Sequence, residues 1–292
     1  MQLRFSENLN GIVLMVLSML GFAIADMGIK LLDGGVPVGQ LLMLLGFGGA
    51  VVFALAAKNQ NHQLISPALK NRSVQMRAFG EIIGTIGFVT ALTLTTISGV
   101  SAILQVTPLI ITLGAVVFLK EKVGIYRWAA IFVGFGGMLL ILRPGSEAFD
   151  PNMIYAVVGV IGLAIRDLAT RTAPRSIPAL VLACYGFAIL VPTGAIMMLV
   201  TGQGVWPEPL EWLLLFGIMS FDVLGYFAIT LAMRMGDVSV ITPFRYSRLI
   251  FAMVIGVLVF NEVIDIWMAA GSAIILASGL FTIYRERRVA GQ

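Results

Sequence analysis

Apolar residues occupy the chain in long blocks separated by short polar breaks. The first block follows a polar start, MQLRFSENLN, and runs near 11–32. The others fall near 37–57, 75–96, 98–119, 123–143, 152–172, 178–201, 210–233, 238–260 and 264–285. Each is close to the roughly 20 residues a helix needs to cross the hydrocarbon core. The pattern predicts an all-α polytopic membrane protein with ten transmembrane helices. The first block has the apolar character of a signal peptide, but with nine further blocks behind it, it is read as the first span. Most connections are short, the longest running from Lys58 to Val74.

An even number of spans puts both termini on one side, and Lys/Arg placement selects which. With cytoplasmic termini, the inside ends hold Arg4, Lys58, Lys70, Arg72, Lys120 and Lys122 among others, and the outside ends hold Lys30 and Arg143. The expected location is the inner (cytoplasmic) membrane.

The two halves of the chain match each other. GFAIADMGIK from Gly21 aligns with GLAIRDLATR from Gly162, and the same offset carries Pro37 to Pro178, Glu81 to Asp222, Gly84 to Gly225, Ser98 to Ser239 and Glu121 to Glu262 without a gap. Residues 1–146 and 147–292 therefore read as two five-helix repeats. Because each holds an odd number of spans, the second is inverted relative to the first. Inverted repeats of this kind are typical of secondary transporters, with the substrate site at the midplane between them.

Composition narrows the function classes. Charged residues make up only 12% of the chain and hydrophobic residues 59%, against about 25% charged in a soluble domain. The formal charge of +4 is scattered among apolar runs, so nucleic acid is not an expected partner. One cysteine, Cys184, excludes an internal disulfide, and the single histidine, His62, lies in a polar loop. No metal and no cofactor is expected. Without a nucleophile–base pair in the spans, an intramembrane enzyme is not expected either.

The charges left inside the spans are the candidate chemistry. Each would cost about 2.5–3.5 kcal/mol at the centre of a lipid-facing helix, so they must face protein or a water-filled cavity. Asp26 precedes Lys30, and Asp167 precedes Arg171, by four residues, the favourable order for a helical ion pair. Glu81 has Arg77 at i−4, whereas Asp222, its repeat partner, has no cation within four positions. Arg245 and Arg248, in the segment PFRYSRLIF, are three apart and are read as sharing one helix face beside Tyr246. Their repeat partners, Leu104 and Thr107, are uncharged. This asymmetric addition favours substrate chemistry, since arginine forks suit carboxylates and phosphates. Arg245, Arg248, Tyr246, Asp222, Gln105 and Tyr226 are the candidate substrate-binding residues. Asp26, Asp167 and Glu81 are the candidate gating or proton-coupling residues. A labile pair between Asp222 and Arg245 is expected. Gly80 and Gly84 form a small-xxx-small face suited to close helix packing, and Pro108 and Pro192 are expected to kink their spans.

At this point the chain resembles the drug/metabolite transporter superfamily, in particular the EamA type with two tandem five-helix repeats. The resemblance covers nearly the whole chain. It rests on the duplication and on a glutamate that closes the fourth span of each repeat before a glycine-rich fifth span, FLKEKVGIYRWAAIFVGFGGMLLIL and VFNEVIDIWMAAGSAIILASGLF. The second copy departs from the first in carrying Ala277 and Ser278 where the first has Gly136 and Gly137. PFRYSRLIF also looks like a segment of the S-adenosylmethionine/riboflavin permease branch. The resemblance implies a secondary transporter of small metabolites, with a central cavity lined by the first, third, fourth, sixth, eighth and ninth spans. It would move a small polar or amphipathic metabolite, anionic or zwitterionic, amino-acid-like or nucleoside-containing, by alternating access. A proton is the candidate coupling ion, membrane lipid surrounds the chain, and the assembly is a monomer or a homodimer. The rival reading is a channel or a non-transporting scaffold subunit.

Overall fold

A computed structural model describes residues 2–32, 34–65, 67–120, 124–174, 176–232 and 238–290. The elements in chain order are α1 (Gln2–Leu31), α2 (Val38–Asn59), α3 (Arg72–Leu94), α4 (Ile97–Leu104), α5 (Thr107–Leu119), α6 (Ile125–Leu142), α7 (Met153–Thr172), α8 (Ala179–Thr201), α9 (Pro209–Ala232), α10 (Val238–Ile241), α11 (Ser247–Phe260) and α12 (Ile266–Ala290). A 3-10 turn, Thr242–Tyr246, joins α10 to α11. Among the described residues nine stretches are long and apolar enough to cross a membrane, α4–α5 counting as one, and the apolar part of α12, Ile266–Thr282, adds a shorter tenth. The protein is an all-α, multi-pass membrane protein.

Two spans are broken. The fourth stops at Leu104 and restarts at Thr107, with Pro108 in the first turn of α5. There the missing proline N–H is no loss, because first-turn donors have no intrahelical acceptor. The ninth opens as the four residues of α10, passes through the 3-10 turn with Pro243 at its start, and becomes α-helical again at Ser247. PFRYSRLIF is therefore not one helix. Arg245 lies in the turn and Arg248 in the first turn of α11, which corrects the reading of a single helical face. By contrast α8 runs unbroken through Pro192.

Helices pack chiefly as α1 on α9, α3 on α7, α2 on α8 and α6 on α12. Exchanging the halves turns the first pair into the second and returns the other two to themselves. Local backbone recurs in the same way. Pro37 and Pro178 hold the N-caps of α2 and α8 with ψ 144° in both. Lys120 (φ 55°) and Asn261 (φ 52°) end α5 and α11 in the left-handed region, and Asn61 (φ 57°) matches Gly202 (φ 64°). Left-handed caps of this kind turn the cap amide back onto a carbonyl of the last turn, Lys120 onto Ala115 and Asn261 onto Gly256. Glu121, an anchor of the sequence match, lies outside the described residues.

Small residues set the closeness of the central pairs. A Cβ on Gly87 of α3 would stand 2.6 Å from the amide nitrogen of Gly159, and one on Gly84 2.8 Å from that of Leu163. Both neighbours are backbone of α7 and cannot move aside. In the matching pair, Ser18 of α1 donates to the carbonyl of Gly225 at 2.6 Å, and a Cβ on Gly21 would lie 3.3 Å from the Phe221 carbonyl. This is the packing expected of the Gly80/Gly84 face. It brings the polar residues of α1 and α9, and of α3 and α7, within reach of each other.

One end of the bundle is sealed. Ile97 through Ile103 of α4 are all buried, and they join Leu41, Leu42, Leu92, Leu109 and Leu249 in the largest core cluster. At that end Asp265 caps α12, its carboxylate accepting from the Met268 amide at 2.8 Å and also pairing with Arg143. The Met268 amide, with help from Arg143, lowers the Asp265 carboxyl below its ordinary value. A lowered folded pKa contributes stability above the unfolded value of about 3.9, and that contribution disappears as pH falls through the folded value. The melting temperature of Asp265→Asn should therefore lie below that of the parent at pH 7, and the gap should close as pH is lowered toward 3. A gap that persists at pH 3 would remove the charge from the explanation.

Candidate functional site

Asp26, on α1, is 3% exposed. It does not take Lys30, its expected partner one turn away. Arg248 of α11 reaches it instead, with Nη2 at 2.7 and 2.9 Å from the two carboxylate oxygens and Nε at 3.2 Å. The rigid guanidinium fork satisfies both oxygens at once, which a lysine ammonium cannot do. The Phe22 and Phe88 rings lie 5.3 and 5.4 Å from the guanidinium carbon, placing the cation within attractive range of both ring systems. Asp222 of α9 belongs to this same region. It stands one turn before Gly225, which touches Phe22, and Asp26 and Arg248 are the charges that act on it. Among the described residues Asp222 makes no hydrogen bond or ion pair.

A second cluster lies on α3 and α7. Glu81 is gripped from two sides, by Arg77 at 3.5 Å and by Arg166 at 3.3 Å, and Arg166 also bonds Asp167 at 2.8 Å through Nε. The Arg77–Glu81 pair is the one the sequence spacing indicates. Asp167, expected to pair with Arg171, is taken by its chain neighbour Arg166, whose guanidinium bridges both acids. Gly186 of α8 backs the cluster, since a Cβ there would meet Arg77 Nη1 at 2.8 Å and Glu81 Oε2 at 2.9 Å.

Arg245 is exposed although it lies within a spanning segment. Asp167, Arg166 and Arg248, members of both clusters, are the charged groups that act on it. Among the described residues it has no hydrogen-bond or ion-pair partner. The expected Asp222–Arg245 pair is not formed. The 3-10 turn packs on α1, α11 and α12, and among the described residues no hydrogen bond or ion pair joins Arg245 to Asp222.

The remaining expected residues divide. Tyr226, one turn after Asp222, is in reach of Arg77, Arg166, Glu81 and Asp167, and its ring meets Phe53 edge-on at 4.8 Å. Gln105 Nε2 donates to the Tyr246 carbonyl at 3.5 Å, joining the two helix breaks. Tyr246 itself is 8% exposed and packs on Gly279 of α12, its hydroxyl without a partner among the described residues. It faces the fifth span of its own half instead of standing beside the arginines.

Two features were not legible beforehand. The glutamate after the ninth span, Glu262, accepts from the amides of Ile97 at 2.7 Å and Ser98 at 3.1 Å, capping α4 across the halves. Lys30 lies 4.0 Å from Glu262, donates to the Thr95 carbonyl and stands over the Phe260 ring at 5.3 Å. A carboxylate at a helix N-terminus is favoured by the unpaired amides there. The only advance signal was the repeated glutamate, which carried no indication of its acceptor role. The second feature is Phe22 with Phe88, indistinguishable in sequence from other apolar span residues.

The chain matches the model of the EamA-like transporter family twice, over residues 9–143 and 151–284. The chain belongs to the EamA-like transporter family. Among curated EamA-like relatives it is 30% identical over 183 residues to an S-adenosylmethionine uptake transporter of Rickettsia bellii, 62% of each chain. It is 30% identical to the protein of the same name from Rickettsia conorii, covering 62% of this chain and 61% of that one. A riboflavin transporter of Vibrio cholerae is 29% identical over 195 residues, 64% of this chain and 62% of that one. The matches span less than two thirds of each relative's length. A solved crystal structure, 20% identical, covers 97% of this chain and 98% of its own with a TM-score of 0.64. It shares the fold.

Proposed function

We propose that the chain is a secondary transporter that moves a small polar or amphipathic metabolite across the inner membrane by alternating access between two inverted halves, 1–146 and 147–292. The observation that carries this reading is a built polar site inside the spans with two charges left over. Asp26, Arg248, Glu81, Arg77, Arg166 and Asp167 hold one another, while among the described residues Asp222 and Arg245 make no hydrogen bond or ion pair. Uncompensated charges inside a membrane protein cost several kcal/mol and mark pathways for substrate or ions. The broken fourth and ninth spans support the same reading, because discontinuous helices form the substrate sites of many transporters.

Both termini are cytoplasmic in this reading, so the sealed end with Lys30 and Glu262 is the outer mouth. The cargo carries a carboxylate or another anionic group that Arg245 engages, and a proton is the coupling ion, with Asp222 as the acceptor. The names of the relatives make S-adenosylmethionine and riboflavin the first compounds to try. Uptake of radiolabelled amino acids, nucleosides, S-adenosylmethionine and riboflavin into proteoliposomes tests the proposal. Saturable uptake of a compound with an anionic group is expected; transport confined to uncharged sugars would overturn the substrate class.

A further inference from the structure

The pair α6–α12 stands apart from the charged clusters. Its helices meet at Gly137 and Gly271, where a Cβ on Gly137 would lie 2.8 Å from the Gly271 carbonyl oxygen, and the pair borders α4, α5 and the 3-10 turn. At one end of this pair is a cavity of about 490 Å³, within the size range of small-ligand pockets. Leu139 and Leu140 from the last turn of α6, Pro144 beyond it and Trp267 from the first turn of α12 make its apolar wall, and Arg143 makes its main polar one. Leu139 and Trp267 are about half exposed, so the cavity opens outward from the bundle. The membrane-length stretch of α6 ends at Leu142 and the apolar run of α12 begins at Ile266. The cavity therefore sits where both helices leave the hydrocarbon, the head-group level at which tryptophan is enriched.

We infer that this cavity is a binding site for a phospholipid with a phosphoethanolamine head group. Arg143 is paired with Asp265, so a cation and an anion stand side by side at the cavity wall. The buried Nε of Arg143 has no acceptor among the described residues, and a phosphate oxygen supplies one, since arginine forks suit phosphates. Asp265 is more exposed than Arg143, and its carboxylate has lone pairs beyond those taken by Arg143 and the Met268 amide. The lipid ammonium donates there. Leu139, Leu140 and Trp267 receive the glycerol and the first acyl carbons. A net-anionic head group would satisfy Arg143 but face Asp265 with a like charge. A choline head group carries the cation without an N–H to donate. The site lies outside the charged clusters and does not depend on the transport reading.

Trp267 reports its own site. Trp128→Phe, Trp206→Phe and Trp212→Phe together leave it as the only tryptophan, and the protein is reconstituted with phospholipids brominated near the head-group end of their acyl chains. Bromine quenches indole fluorescence on contact, so mixtures of one brominated and one plain lipid give their relative occupancy beside Trp267. Phosphatidylethanolamine should be preferred over phosphatidylcholine and over phosphatidylglycerol by roughly three- to fivefold, the scale of a partly exposed ion pair. A protein whose only tryptophan is Trp128, at the other end of α6, should show no such preference. Asp265→Asn should erase the preference over phosphatidylcholine, which keeps the phosphate but lacks the N–H. Arg143→Gln should erase the preference over an uncharged glycolipid of the same chains. Native mass spectrometry of the unsubstituted protein, titrated with the same lipids, gives the ranking independently of any substitution. Stronger quenching by phosphatidylglycerol would overturn the assigned head group. Equal quenching by all the lipids would make this an ordinary lipid-facing surface and overturn the site.

Discussion

Replacing Arg248 with alanine is expected to lower stability by roughly 3–5 kcal/mol and to abolish transport. Asp26 is 3% exposed, and its two oxygens are filled by one guanidinium. Removing the fork leaves the buried Asp26 carboxylate with no donor in its place. The loss is therefore the penalty of an uncompensated buried charge and not the modest net worth of the pair. Asp26→Asn combined with Arg248→Met removes both charges and keeps much of the volume, so most of the stability should return. Transport should not return, because the charged Asp26–Arg248 pair is then gone from the site. Thermal unfolding of the detergent-solubilised protein, as a double-mutant cycle, measures the first part. If Arg248→Ala and the double variant melt alike, the pair does not carry the stability assigned to it.

Arg245→Ala should behave differently, with transport lost and the fold kept. Arg245 is exposed and has no partner among the described residues, so its removal strands no other group. A hydrogen bond to a charged ligand group is worth about 1.5–3 kcal/mol, or roughly a 10- to 100-fold loss of affinity. Normal expression, an unchanged melting temperature and uptake reduced by that factor are expected. Asp222→Asn is the companion test. The groups that face Asp222 are Asp26, itself held by Arg248, and Arg248. With no direct partner among the described residues, Asp222 is the carboxylate beside Asp26 left free to exchange a proton. The variant should flatten the pH dependence of uptake more than it changes affinity. Normal uptake by both variants across pH would remove Asp222 and Arg245 from the mechanism.

Much of this was legible in the chain because hydrophobic blocks of membrane-spanning length leave little choice of architecture. The internal match placed Asp26 opposite Asp167 and Glu81 opposite Asp222 before any helix pairing was known. The Gly80/Gly84 face foretold a close helix contact on α3, because only small residues let backbones approach so closely, but not that α7 would make it. What sequence spacing mispaired were the partners of the acids. The i,i+4 rule describes an isolated helix, and within the bundle Arg248 and Arg166 outcompete Lys30 and Arg171 by reaching across helices or bridging two acids. The backbone of PFRYSRLIF was also misjudged. Pro243 and the 3-10 turn place Arg245 and Arg248 in different environments, one open and one locked on Asp26. The capping of α4 by Glu262 could not be foreseen, because its acceptor role depends on which helix end the fold brings to it.

The central claim is that the sealed end must open for transport to occur. Cysteines at Lys30 and Glu262, in a Cys184→Ser background, can be joined by a short bifunctional methanethiosulfonate, since the native side chains stand 4.0 Å apart. Uptake of the identified metabolite into proteoliposomes is then measured before cross-linking, after it, and after reduction. Alternating access predicts that cross-linking stops saturable uptake and that reduction restores it, with each single-cysteine protein unaffected by the reagent. Undiminished uptake by fully cross-linked protein would contradict the account.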